Sequence, residues 1–152
     1  MLNNTIVSNG ISGFHTSASA ATPITFTAFQ NNIIASNASY AMSISTGTSF
    51  TSLDYNCYYG ASPLFRYQDA DKSWSDWRAF GFDVHGLNTN PLLSASYVPV
   101  VGSPVIDAGI VESDFTTDKN GASRVAPWDI GAFEYGAVPP QLSAPKNLLI
   151  IP

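Results

Sequence analysis

Asn3-Asn4-Thr5-Ile6-Val7-Ser8-Asn9 returns as Asn31-Asn32-Ile33-Ile34-Ala35-Ser36-Asn37 and, more loosely, as Asp54-Tyr55-Asn56-Cys57-Tyr58-Tyr59. Aligning Asn4, Asn32 and Asn56 gives steps of 28 and 24 residues. A period in the twenties marks a solenoid, in which one short supersecondary unit stacks on the next. Leucine-rich repeats share the period, but their leucine ladder is absent. Between the copies, Ile24-Thr25-Phe26-Thr27 and Ala41-Met42-Ser43-Ile44-Ser45 alternate apolar and polar residues, as half-buried strands do. Strands this short cannot bury a face alone. Stacking on the equivalent strand of the next coil satisfies their backbone groups and closes an apolar interior, with Ile6, Ile33 or Ile34, Met42, Ile44 and Ile106 directed inward. The recurring asparagines suit corners, where a short amide bonds nearby backbone and tolerates left-handed dihedrals. Stacked at the strand spacing, Asn4, Asn32 and Asn56 are expected to bond one another in a ladder.

The composition agrees with an all-β chain. Hydrophobic residues reach 45%, whereas Asp, Glu, Lys and Arg total 11%, against roughly a quarter in an average globular protein. Ser, Thr, Asn and Gly supply the remaining polarity, and they favour turns and strand surfaces over helix interiors. The net charge is −5, and Arg66, Lys72, Arg78, Lys119, Arg124 and Lys146 stand singly. Without a basic stripe to follow phosphates, nucleic acid is excluded as a partner. No stretch approaches the roughly 20 apolar residues of a membrane-spanning helix. Cys57 is the only cysteine, so one chain can form no disulfide and no cysteine-based zinc cluster. Leu2 to Ser8 already reads as repeat, so Met1 looks like a truncation boundary. The missing signal peptide then says nothing about secretion.

The repeat breaks after Tyr59. Within residues 60–80, Ser73 and Asp76 have capping-box spacing, Trp74 and Trp77 share a face, and Gly81 can stop the helix, which predicts a helical insertion over 73–80. The aromatic cluster of Phe65, Tyr67, Trp74, Trp77, Phe80 and Phe82 either packs as a lid or offers rings to sugar faces. Exposure of Trp74 or Trp77 separates these readings.

Gly81-Phe82-Asp83-Val84-His85-Gly86 with Asn90-Pro91-Leu92-Leu93 is similar to a "G-x-D-x-H-S … D-P-x-F" stretch of bacterial β-helix proteins. Glycine stands at 86 for the usual serine, and asparagine at 90 for the usual aspartate. Gly102-Ser103-Pro104-Val105-Ile106-Asp107-Ala108-Gly109 resembles their "G-S-P-A-I-D-A-G" signature. Asp118 to Arg124 and Asp129-Ile130-Gly131-Ala132-Phe133-Glu134-Tyr135 resemble their closing "D-x-x-G-x-x-R … D-I-G-A-x-E-Y". Through these segments the chain resembles the pectate-lyase-like, polysaccharide-related group over roughly residues 1–136. The resemblance implies a right-handed single-stranded parallel β-helix, of which these are the C-terminal coils, in a secreted or cell-surface bacterial protein. Residues 137–152 then form a proline-rich linker and the possible start of a β-sandwich module, with Lys146 to Pro152 as an isolated strand or one folded back along the helix.

Arg124 has the planar fork to clasp Asp107, Asp118 or Asp129, with Asp129 the preferred partner. Asp118-Lys119-Asn120-Gly121, with Asp114, superficially suggests a calcium loop, but no glutamate completes the EF-hand spacing. A turn is the simpler reading, and the metal question stays open. His15 and His85 are the only histidines. Asp54, Asp83 and Asp107 could lie on neighbouring coils, and Asp83 beside His85 is the best local acid–base cluster. A hydrogen-bonded turn accounts for that pair better than catalysis does. No residue is therefore assigned a catalytic or cofactor-binding role, and no cofactor is expected. The chain is expected to be the inactive structural end of a secreted carbohydrate-active enzyme, a polysaccharide lyase or glycoside hydrolase. The alternative is a glycan-binding, adhesin or tailspike-like module, with polysaccharide as its partner. Leu2 to Val7 opens without a cap, so self-association through this coil is also expected.

Overall fold

In the computed structural model, which describes residues 1–60 and 63–140, the elements follow in the order Thr5–Val7 (β1), Phe14–His15 (β2), Ile24–Gln30 (β3), Ile33–Ala35 (β4), Met42–Ile44 (β5), Thr48–Asp54 (β6), Cys57–Tyr59 (β7), Phe65–Tyr67 (β8), Ala70–Lys72 (β9), Trp74–Ala79 (α1) and Leu87–Asn88 (β10). Among the described residues the strands form three short sheets, ordered β1-β4-β7-β10, β2-β5-β8-β9 and β3-β6. Thr5 pairs with Ile33, and Ile33 with Cys57, both in parallel, so register follows the steps of the sequence repeat.

The right-handed single-stranded parallel β-helix expected from the resemblance is not what forms. The molecule is small, its sheets are short, and one of them is mixed because β8 and β9 pair antiparallel. Gln68 and Asp69 adopt φ values of 50° and 64° and reverse the chain there, so β9 covers the edge that another parallel strand would use. After Asn88 and up to residue 140 the chain forms no named strand, and its β pairing there is limited to isolated bridges, Leu93 with Pro99 and Thr117 with Ser123.

The corners explain why the repeat works. Asn3, Asn31 and Tyr55 precede β1, β4 and β7 at φ of 52°, 56° and 57°, while Ser8, Ser36 and Gly60 follow them at 57°, 54° and 93°. Each short strand is thus bracketed by two left-handed residues at matching positions. Asparagine tolerates that conformation at modest cost, and glycine at none.

Apolar residues sort to two sides of the β1-β4-β7 sheet. Ile34, Met42, Ile44, Phe29, Leu53, Tyr58, Phe65 and Trp77 fill the interior, with Ile6 packed against them. Ile33, Ala35 and Cys57 point the other way, against Val105 and Ile130 of the C-terminal segment. The choice between Ile33 and Ile34 is therefore settled: Ile34 lies inside and Ile33 outside under a cover. Ile106 is only partly buried, and its neighbour Val105 takes the core position.

Backbone bonds fasten this cover. Gly131 N–H donates to the Asn31 carbonyl at 2.8 Å, and Ala132 N–H to Thr5 Oγ1 at 3.0 Å. Asn31 exchanges two bonds with the Ile110 backbone, at 2.7 and 2.9 Å. The approach is close enough to demand glycine at 131. A Cβ there would lie 2.6 Å from Ile33 Cδ1, and φ is 107°. No helix among the described residues is long and apolar enough to cross a membrane.

Candidate functional site

The asparagine ladder forms, and it runs in one direction. Asn4 N–H and Nδ2 both donate to Asn32 Oδ1, at 3.0 and 2.9 Å. Asn32 repeats the pattern onto Asn56 Oδ1, with both bonds at 2.9 Å. Asn56 repeats it onto Asp83 Oδ1, at 3.1 and 2.8 Å. A carboxylate therefore occupies the last rung. Its other oxygen accepts from Tyr58 OH at 2.8 Å and Trp77 Nε1 at 2.9 Å. Asp83 is fully buried, and burial raises its pKa above the ordinary carboxyl value although all these donors pull the other way. Beside it, burial pushes the Tyr58 hydroxyl well above its usual range and the Cys57 thiol up to about 12.

Asp83 and His85 do not form the acid–base pair considered from sequence. His85 Nδ1 lies 2.7 Å from Asp54 Oδ2, its backbone N–H donates to Asp54 Oδ1 at 2.7 Å, and its ring stacks on Tyr55 at 4.7 Å. Asp54 precedes the left-handed Tyr55, which turns the carboxylate toward the residue 31 positions on. Nothing in their separation along the chain announces that partnership. The glycine at 86 has a physical reason as well. A Cβ there would lie 2.6 Å from Asp83 Cβ, so no serine fits this corner.

Helix α1 carries the expected capping box, with Ser73 as N-cap and Asp76 reciprocating. It divides the two tryptophans. Trp77 is fully buried and lies parallel to Phe65 at 4.3 Å and 4°, the lid arrangement. Trp74 is half-buried and borders an open groove of about 960 Å³ with Tyr59, Asp71, Lys72, Asn88 and Asn90. This groove joins an aromatic face to amide, carboxylate and ammonium groups. Such a set can stack on the apolar face of a sugar and bond its hydroxyls.

Near the C-terminus, Arg124 finds a different partner from the one expected. Its Nη1 donates to Glu134 Oε2 at 2.9 Å, and its Nη2 to the Gly131 carbonyl at 2.8 Å. From Asp129 it reaches only the carbonyl oxygen. The Asp129 carboxylate instead accepts from the Asp107 and Tyr135 backbone N–H groups. Burial of this cluster raises the pKa of Glu134 and Asp129 and lowers that of Arg124. Asp118 accepts from Asn120 and Ala122 N–H through one oxygen and from Glu134 N–H through the other, which makes it a turn anchor. No group of three or more His, Cys, Asp or Glu side chains among the described residues is placed to hold a metal ion. His15 lies exposed in β2, away from these clusters.

No family model, curated protein or solved structure matches the chain.

Proposed function

We propose that this chain is a non-catalytic structural part of a secreted protein that acts on polysaccharide, related to the pectate-lyase-like group. One observation carries the non-catalytic part of the reading: Asp83, the carboxylate that the sequence offered for acid–base work, is fully buried and engages Asn56, Tyr58 and Trp77. A general acid or base must reach a substrate proton within hydrogen-bond distance, and Asp83 is turned wholly inward. The resembling segments around Gly102–Gly109 and Asp118–Tyr135 support the same role, since their buried residues fasten the cover over β1 and β4. Incubation with neutral and acidic polysaccharides, followed by assays for reducing ends and for unsaturated products, tests it. The expected result is no turnover above buffer. Turnover that disappears in Asp83→Ala while that variant stays folded would overturn the reading.

The groove at Trp74 favours a second role within the same setting, that of holding glycan without cutting it. Affinity electrophoresis through gels containing each polysaccharide checks this. Retardation is expected for the wild-type chain and about tenfold weaker retention for Trp74→Ala, as for loss of a contact worth about 1.4 kcal/mol.

A further inference from the structure

We infer that the free edge of β1 is a docking site for one parallel strand of another polypeptide carrying an Asn-x-x-x-x-Asn pair. Three observations converge on it. The first is position. β1, β2 and β3 each stand at the end of their sheet's order and pair on one side only, with β4, β5 and β6. Asn4, Ile6 and Ser8 direct their backbone groups to the β4 side, as the bonds from Ile33 N–H to the Asn4 carbonyl, from Asn37 Nδ2 to the Ile6 carbonyl and from Ser8 N–H to the Ala35 carbonyl attest. By strand alternation, Thr5 and Val7 therefore present N–H and C=O away from it. No proline or charged residue in Thr5–Val7 blunts this edge.

The second observation is the polarity of the side-chain ladder. Each asparagine donates to the next rung toward Asp83, and each rung after Asn4 accepts from the one before it. Asn32 and Asn56 have their Oδ1 filled by an N–H and an Nδ2, while the Oδ1 of Asn4 accepts from no group among the described residues. Asn4 Nδ2 also bonds the Leu2 carbonyl at 3.0 Å, which fixes the amide with its oxygen outward. The open end is thus an acceptor shaped for the backbone N–H and amide of one further asparagine.

The third is a second ladder five residues on. Asn9 N–H and Nδ2 donate to Asn37 Oδ1 at 3.0 and 2.9 Å, repeating the Asn4–Asn32 geometry at the far corner of the strand. Asn9 Oδ1 likewise accepts from no group among the described residues. The edge therefore offers two amide acceptors flanking the outward backbone of Thr5 and Val7. Their complement is the pattern that β4 itself shows, asparagine at both corners of a short apolar strand. Addition of a strand to a sheet edge draws affinity from the main chain and specificity from flanking side chains.

The test titrates isotopically labelled full chain with an end-blocked peptide of the sequence of residues 31–37, which carries the asparagine pair, and follows backbone amide shifts. The expected result is saturable shifts at residues 4–9, and at least about tenfold weaker binding when both corner asparagines of the peptide are alanine, as for the loss of two amide bonding sites. Asn9→Ala in the protein, at an exposed corner, is expected to weaken binding severalfold. Val7→Pro, which removes an outward N–H, is expected to abolish it. Equal binding of both peptides, shifts centred on β7, or no binding would overturn the proposal. So would concentration-dependent light scattering traced to residues 4–9, since the occupant would then be a second copy of this chain.

Discussion

Asp83 and Glu134 are both buried carboxylates, and they are held by opposite means. Asp83 is surrounded by neutral donors, namely an indole N–H, a phenol, an amide and a backbone N–H. Glu134 has the Arg124 guanidinium at 2.9 Å, and the Val125 and Asp129 backbone N–H groups besides. Burial raises both pKa values nevertheless. The contrast teaches that a cation is not required to keep an acid inside a protein, provided its lone pairs are filled, and that a cation does not cancel the desolvation cost.

Replacing Asp83 with alanine should have the largest effect, because it strands the Trp77, Tyr58 and Asn56 donors together. Unsatisfied buried groups cost about 1–3 kcal/mol each, and their sum is not additive, so a loss of about 4 kcal/mol is expected by urea denaturation. Arg124→Met should cost about 3 kcal/mol, since it leaves Glu134 buried without its partner charge. If Arg124→Met proves the costlier of the two, the contrast drawn above fails. Within the ladder, Asn56→Ala should cost about 2 kcal/mol and Asn4→Ala about 1, because the interior rung is bonded on both sides and the end rung on one.

Asp83, Asp129 and Glu134 all have raised pKa values in the fold, so their shared contribution has one sign. It is fully present below the unfolded carboxyl range and is lost as pH rises through the raised values. Stability followed by thermal melts should therefore decline with rising pH across that window, and Asp83→Asn should flatten the decline. The exposed Asp76, whose pKa its bonds to Ser73 lower, acts in the opposite sense: its contribution is present above the ordinary value and is lost as pH falls. Ser73→Ala should give the smallest change, about 0.5 kcal/mol, the low end for loss of an N-cap, because this cap is exposed.

Much of the local structure could be read from residue order. The steps from Asn4 to Asn32 to Asn56 gave both the ladder and the parallel register, because stacked corners set those amides at the strand spacing, whereas the Asp83 carboxylate as last rung lay outside the repeat. Ser73 and Asp76 announced their helix by spacing alone. The architecture was not legible to the same degree. The turn at Gln68 and Asp69 carries no glycine or proline, so its left-handed dihedrals and the antiparallel pair they create left no mark. Partnerships across the fold were hidden for a related reason: Asp54 meets His85, and Arg124 chooses Glu134 over Asp129, through tertiary geometry that no periodicity encodes. The C-terminal motifs looked like a closing signature, yet what they close is the outer face of β1 and β4, a role that only the position of Ile33 reveals.

That outer cover has a kinetic consequence. β4 is paired on both sides and packed on both faces, so its amides should be among the last in the chain to exchange with solvent, opening only with the whole molecule. Cys57 sits one strand away beneath the same cover, fully buried, with burial holding its thiol protonated. Thiol reagents attack the thiolate, so Cys57 should be silent while the segment around Val105 and Ile130 stays seated and should react once it lifts. The single cysteine of the chain thus works as a clock for partial opening: its labelling rate, compared with the exchange of β4, measures how often the C-terminal segment leaves while the strands beneath it remain stacked.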